Sequence, residues 1–129
     1  MQTQMLINGQ LVEGLGSPYA VYNPSEGTVL VKIPEASKEQ VDAAVIAADQ
    51  AFESWSQTPP KDRARLLLTL AERIEAKAES LARLESQNCG KPFQATLDDE
   101  IPAIADVFRY CAGASRCLTG SAGGEYLPG

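Results

Sequence analysis

Histidine is missing from all 129 residues. Its absence removes the most frequent zinc ligand and the usual base that activates a serine or cysteine nucleophile. Cysteine is scarce: Cys89, Cys111 and Cys117 form an odd set without CxxC spacing, so reduced, free thiols are expected rather than a disulfide framework. Apolar runs are short. None approaches the roughly 18 residues that a membrane helix needs, and the N-terminus has no basic stretch ahead of an apolar one, which predicts a cytoplasmic protein without a membrane partner. Basic residues are outnumbered, 11 Lys and Arg against 17 Asp and Glu for a net charge of -6, which opposes binding to nucleic acid or anionic lipid. Phosphate-cradling glycine loops are lacking too. Gly9, Gly14 and Gly16 follow no strand-to-helix unit with GxGxxG order, and Gly120 to Gly124 precede no helix, so this chain alone is not expected to hold a dinucleotide.

What is present reads as strands first and helices after. Met5, Ile7 and Leu11 flank Asn8-Gly9, the dipeptide suited to a two-residue hairpin turn. Tyr19 to Tyr22 and Thr28 to Ile33 read as strands around the Asn23-Pro24-Ser25-Glu26-Gly27 turn, giving about four short strands over residues 4–33. Ser37 followed by Gln40 forms a capping box. From there Val41, Ala44, Val45, Ala48, Phe52 and Trp55 recur at three- and four-residue intervals, predicting a helix over about 38–55 packed on something larger. A second helical region is predicted over about 61–88, with Leu66, Leu67, Leu70, Ile74, Leu81 and Leu84 inward and a break near Lys77 to Ser80. Gly90 suits the left-handed residue that closes it, and Pro92 lies where a helix cannot continue. A third helix over about 99–118 carries Ile101, Ile104, Ala105, Phe108, Cys111, Ala112 and Ser115 on one face, with Pro102 in its first turn. Thr119 to Gly129, rich in glycine, promises no regular structure.

The string Glu85-Ser86-Gln87-Asn88-Cys89-Gly90-Lys91-Pro92 resembles the segment that ends an early helix in NAD(P)-dependent aldehyde dehydrogenases. Glu100-Ile101-Pro102 and Phe108-Arg109-Tyr110-Cys111-Ala112-Gly113 resemble that family's next helix. Ile7-Asn8-Gly9, Asn23-Pro24 with Gly27, and Val41-Asp42-Ala43-Ala44-Val45 resemble its first strands and first helix, so the resemblance covers nearly the whole chain. Within the family the resemblance is to bacterial enzymes acting on 4-aminobutyraldehyde, with betaine-aldehyde dehydrogenases near. It implies an α/β fold of which this chain is an incomplete N-terminal portion, flanking a dinucleotide-binding domain and holding no complete domain boundary. It also implies NAD as the cofactor of the full enzyme, a small aldehyde as substrate and a homotetrameric parent, with the tail leading toward an oligomerisation hairpin.

Aldehyde oxidation in this family needs a thiolate to attack the carbonyl, a nicotinamide to take hydride and a carboxylate to activate water. None is assigned here: no catalytic and no cofactor-binding residue is expected within the chain. Cys111 sits on an apolar stripe and is expected in the core, and at Cys89 the dipole of a helix C-terminus works against a thiolate. Two sites follow from the resemblance. Main-chain carbonyls of Val21 and Tyr22 with the side-chain oxygen of Asn88 correspond to a monovalent-cation site, unless Asn88 merely caps its helix. Glu100 corresponds to an acidic residue at the substrate tunnel that contacts the amino end of the substrate. A carboxylate there gives a charge-assisted bond to an ammonium. Alternatively, Glu100 with Asp98 and Asp99 complements a helix N-terminus, and Phe108 and Tyr110 line the tunnel or simply pack.

Two other readings use the same residues. In one, the chain is a non-catalytic helical interaction module whose Phe52 and Trp55 face binds a partner; in the other, it is a small thiol enzyme using Cys89. The aldehyde dehydrogenase reading predicts a chain that is inactive alone and prone to self-association, because its helices lack the strands they would rest on.

Overall fold

Asn8 and Gly9 adopt φ of 50° and 74°, the paired positive angles that a two-residue hairpin turn demands. They join β1 (Met5–Ile7) to β2 (Gln10–Val12), with Met5 opposite Val12. The computed structural model describes residues 1–120; the expected glycine-rich tail and hairpin lead-in fall mostly outside them. A second antiparallel pair, β3 (Pro18–Asn23) and β4 (Thr28–Pro34), closes around Asn23 to Gly27. Its register shifts between Val21 and Tyr22, which face Val31 and Val29, so Leu30 bulges from the ladder.

Ser37 caps α1 (Lys38–Ser56) through the full capping box. Gln40 does more than complete it. Its Oε1 accepts from the Ser37 and Leu15 N–H groups, both at 3.0 Å, and its Nε2 donates to the Glu13 carbonyl at 2.7 Å. One side chain therefore pins the helix start to the loop after the hairpin. At Gly14 a Cβ would collide with the Pro34 carbonyl oxygen, so only glycine lets the loop pass there. The apolar stripe of α1 exists as the spacing predicts, yet no residue of this helix is buried: Phe52 is 63% exposed and Trp55 48%.

The second helical region divides into α2 (Pro60–Ala76) and α3 (Ala78–Cys89) at Lys77, whose φ of -112° and ψ of 14° leave the helical range. The break falls at the start of the segment where the apolar spacing stretched. Gly90, at φ 77°, ends α3 and donates its N–H to the Ser86 carbonyl at 2.9 Å. Beyond Pro92 the chain turns helical again at once, as α4 (Phe93–Ala95), a π turn (Thr96–Glu100) and α5 (Ile101–Ala114). The predicted third helix thus begins six residues earlier and ends four sooner than its pattern suggested.

Pro102 explains the π turn. A proline inside a helix lacks an N–H and presses its ring on the carbonyl four residues back. Here the turn before it widens, and Ile101 donates to the Thr96 carbonyl five residues back, which carries the helix through the proline without a stop. Pro102 is therefore interior to a continuous helical run rather than at its beginning.

Alpha helix α5 lies along α2, the most extensive helix pair. Ala64 shares a cleft with Ala112, and Ile74 shares one with Ile101, so the two run antiparallel. Ala64, Ala71, Ala105 and Ala112 are buried along the pair, small side chains that let backbones approach closely. The buried lines are Ala64–Ala71 and Ile101–Ala105–Ala112, with Leu67, Ile74 and Phe108 half-buried between them. Leu66, Leu70 and Leu84, expected inward, are exposed, as are Ile104 and Cys111. Each belongs to the apolar arc of its helix, but lies to one side of the strip that a helix of this chain covers. Among the described residues no helix is long and apolar enough to cross a membrane.

Candidate functional site

Between the end of α3 and the last residue of the π turn, three charged side chains meet. Lys91, placed by the Gly90 turn, donates from Nζ to Glu100 Oε2 at 2.7 Å, while Glu85 Oε1 stands 3.5 Å away on the other side. Both carboxylates are two-fifths exposed or slightly more and the lysine is about one-third exposed. The hydrogen bond that Lys91 donates to Glu100 raises the Lys91 pKa above its ordinary value; desolvation opposes this and Glu85 adds to it. Lys91 therefore stays an ammonium throughout the neutral range.

Beside this charged edge is an open cleft of about 370 Å³ lined by Ile74, Leu81, Leu84, Thr96, Ile101 and Ile104, together with Glu85 and Glu100. Thr96 is fully buried there, its hydroxyl donating to the Pro92 carbonyl at 3.2 Å. The π turn sets where Glu100 projects, since its wider backbone rotates each side chain relative to an α-helix. Asp98, Asp99 and Glu100 stand well past the first turn that starts at Phe93, so they do not flank a helix N-terminus. A carboxylate beside an apolar cavity can orient a ligand with a cationic end and an aliphatic body.

The second expected site joins β3 to the end of α3, two elements in contact. Asn23, buried, accepts at Oδ1 from Ser25 N at 3.1 Å and Ser25 Oγ at 2.8 Å, fixing the turn. Pro24 of that turn faces Gly90, where an added Cβ would lie 3.0 Å from Pro24 Cγ. Val21 and Tyr22 flank the register shift, and Asn88 is exposed on the last turn of α3. At this helix end the Ser86 carbonyl accepts from Gly90 N at 2.9 Å, and the Cys89 thiol lies 3.2 Å from the Glu85 carbonyl. Among the described residues no three His, Cys, Asp or Glu side chains gather as a metal site.

The remaining candidates separate. Cys89, Cys111 and Cys117 are all free and exposed, so Cys111 is not the core residue its stripe suggested. Phe108 is half-buried and Tyr110 lies 75% exposed. Lys91 stands in the string that ends the helix, and nothing in the sequence marks it as a partner of Glu100. Its partner Glu100 is nine residues away across a proline, a spacing to which no helical or strand period points.

The aldehyde dehydrogenase family model matches residues 12–126. A mitochondrial aldehyde dehydrogenase of Leishmania tarentolae is 38% identical over 122 residues, covering 94% of this chain and 24% of that protein. A phenylacetaldehyde dehydrogenase of Pseudomonas fluorescens is 42% identical over 121 residues, covering 92% and 24%. Among solved structures, PnpE in complex with nicotinamide adenine dinucleotide superposes with a TM-score of 0.89 at 40% identity, over 94% of this chain and 25% of that one. The chain thus spans about a quarter of the length of the relatives it matches.

Proposed function

The chain belongs to the aldehyde dehydrogenase family, and on that footing we propose that it is the N-terminal part of an oxidoreductase that converts an aldehyde to the acid with NAD(P), with 4-aminobutanal as substrate. The observation that carries the substrate is the Glu100 carboxylate at the lining of an apolar cavity. An aminoaldehyde has an ammonium for the first and a short methylene chain for the second. NAD, when bound, accepts the hydride that leaves the aldehyde carbon. This chain offers no glycine loop for it, so its pocket, the attacking thiol and the general base belong to the other three-quarters of the family fold.

Val21 and Tyr22 carbonyls with the Asn88 side-chain oxygen suit a potassium or sodium ion, because hard monovalent cations take oxygen ligands. The bulged step at Val21–Tyr22 favours this, since a bulge disturbs the ladder that otherwise occupies strand carbonyls. Such an ion braces β3 against the end of α3. The parent is read as a cytoplasmic homotetramer.

The test compares 4-aminobutanal with butanal in the full enzyme that carries this segment. Glu100→Ala is expected to lower kcat/KM for the amine-ended substrate about tenfold relative to butanal, the loss of one charge-assisted bond. Equal loss for both removes ammonium recognition from Glu100.

A further inference from the structure

We infer that Lys91 is a built-in counter-ion that mutes Glu100, so that it sets how strongly the cavity prefers an amine-ended ligand; this rests on the reading of Glu100 given above. The geometry is specific. Lys91 Nζ sits 2.7 Å from Glu100 Oε2 and 3.5 Å from Glu85 Oε1, the two acidic residues that line the cavity. Two carboxylates and one ammonium leave the group with one net negative charge. A carboxylate has about four lone-pair sites, so Glu100 can accept a second cation beside Lys91, but against the field of the first. The resident ammonium and the arriving one compete for the same charge.

Lys91 is held there from two directions. The Gly90 turn, in the left-handed conformation at φ 77°, aims the chain back toward Glu85 on the preceding turn of α3. The π turn brings Glu100 to its other side. Neither constraint depends on a ligand. Lys91 is therefore a positioning residue whose effect is electrostatic and graded, not a group that touches the reacting carbonyl.

Replacing Lys91 by methionine keeps an aliphatic stem of similar length and removes the charge. In the full enzyme, Lys91→Met is expected to raise the ratio of kcat/KM for 4-aminobutanal to that for butanal about fivefold, the scale of a half-exposed ion pair. The gain should reside in KM for the amine-ended substrate and shrink as salt rises from low ionic strength to 0.5 M, because exposed charges are screened. Lys91→Arg, which keeps the charge, should leave the ratio near wild type, and Lys91→Gln provides a second neutral variant. A ratio that stays level or falls in both neutral variants overturns the inference. Its failure is separable from that of the parent reading: if Glu100→Ala depresses the ratio while Lys91→Met leaves it level, only the role of Lys91 is lost. If Glu100→Ala leaves the ratio unmoved, the assignment of Glu100 falls and the counter-ion role with it.

Discussion

Arg109 grips both carboxylate oxygens of Glu75, Nη1 on Oε1 at 2.7 Å and Nη2 on Oε2 at 2.5 Å. The pair bridges α5 and α2, the helices that make the main contact of the chain. A fork on a planar carboxylate fixes rotation as well as distance, which matters where the intervening core is largely alanine.

That bridge gives the helix pair a dependence on acid. The hydrogen bonds from Arg109 lower the Glu75 pKa below the ordinary carboxylate value; desolvation opposes them, and the guanidinium charge adds to them. A depressed folded-state pKa means stability that is present above the pH where unfolded glutamate titrates and is lost as pH falls through the folded value. Melting followed by circular dichroism between pH 7 and pH 3 should therefore show a steeper loss in the wild type than in Glu75→Gln. Both residues are about two-fifths exposed, so the difference is expected to be modest and to shrink in salt. Parallel curves for the two proteins would show that the pair is not linked to folding.

Gly90 makes a sharper prediction. Its φ of 77° is one that side chains rarely adopt, and a Cβ would lie 3.0 Å from Pro24 Cγ. Gly27, at φ 69°, has nothing within 4 Å of such a Cβ. Both alanine variants bear the backbone cost of about 1 kcal/mol, but only Gly90→Ala also pushes on the turn that packs against α3. Chemical denaturation should find Gly90→Ala less stable than Gly27→Ala by roughly 0.5–1 kcal/mol, the scale of a small packing displacement. Equal losses would mean that the Pro24 contact yields freely.

The features written in short stretches of sequence were the legible ones. Asn8-Gly9, the Ser37–Gln40 box, the glycine stop at Gly90 and the break at Lys77 each follow from the conformational needs of a few neighbouring residues. Periodicity did less well with faces. It reports that Leu66, Leu70, Ile104 and Cys111 lie on apolar arcs, but not which part of an arc another helix covers. The π turn was hidden because Pro102 allows two solutions, a fresh start or a widened turn, and the helix-compatible residues from Phe93 decide for the second. At the candidate site, a family resemblance points to Glu100, whereas the contact with Lys91 depends on a fold across nine residues that no local pattern encodes.

The open faces lead to the last expectation. Val41, Val45, Phe52 and Trp55 make an exposed stripe on α1, and pieces of α2 and α5 add Leu66, Leu70, Ile104 and Val107. The chain superposes on a quarter of PnpE with a TM-score of 0.89, and exposed apolar faces of that kind drive association. Light scattering on the 129-residue chain should show self-association that deepens with concentration, accompanied by binding of an apolar dye. Val45→Lys with Phe52→Glu, on exposed positions that no helix of this chain covers, should reduce both without lowering helix content. A compact monomer that binds no dye would mean that these faces close on one another in solution, and would favour a self-sufficient helical module over a portion of an enzyme.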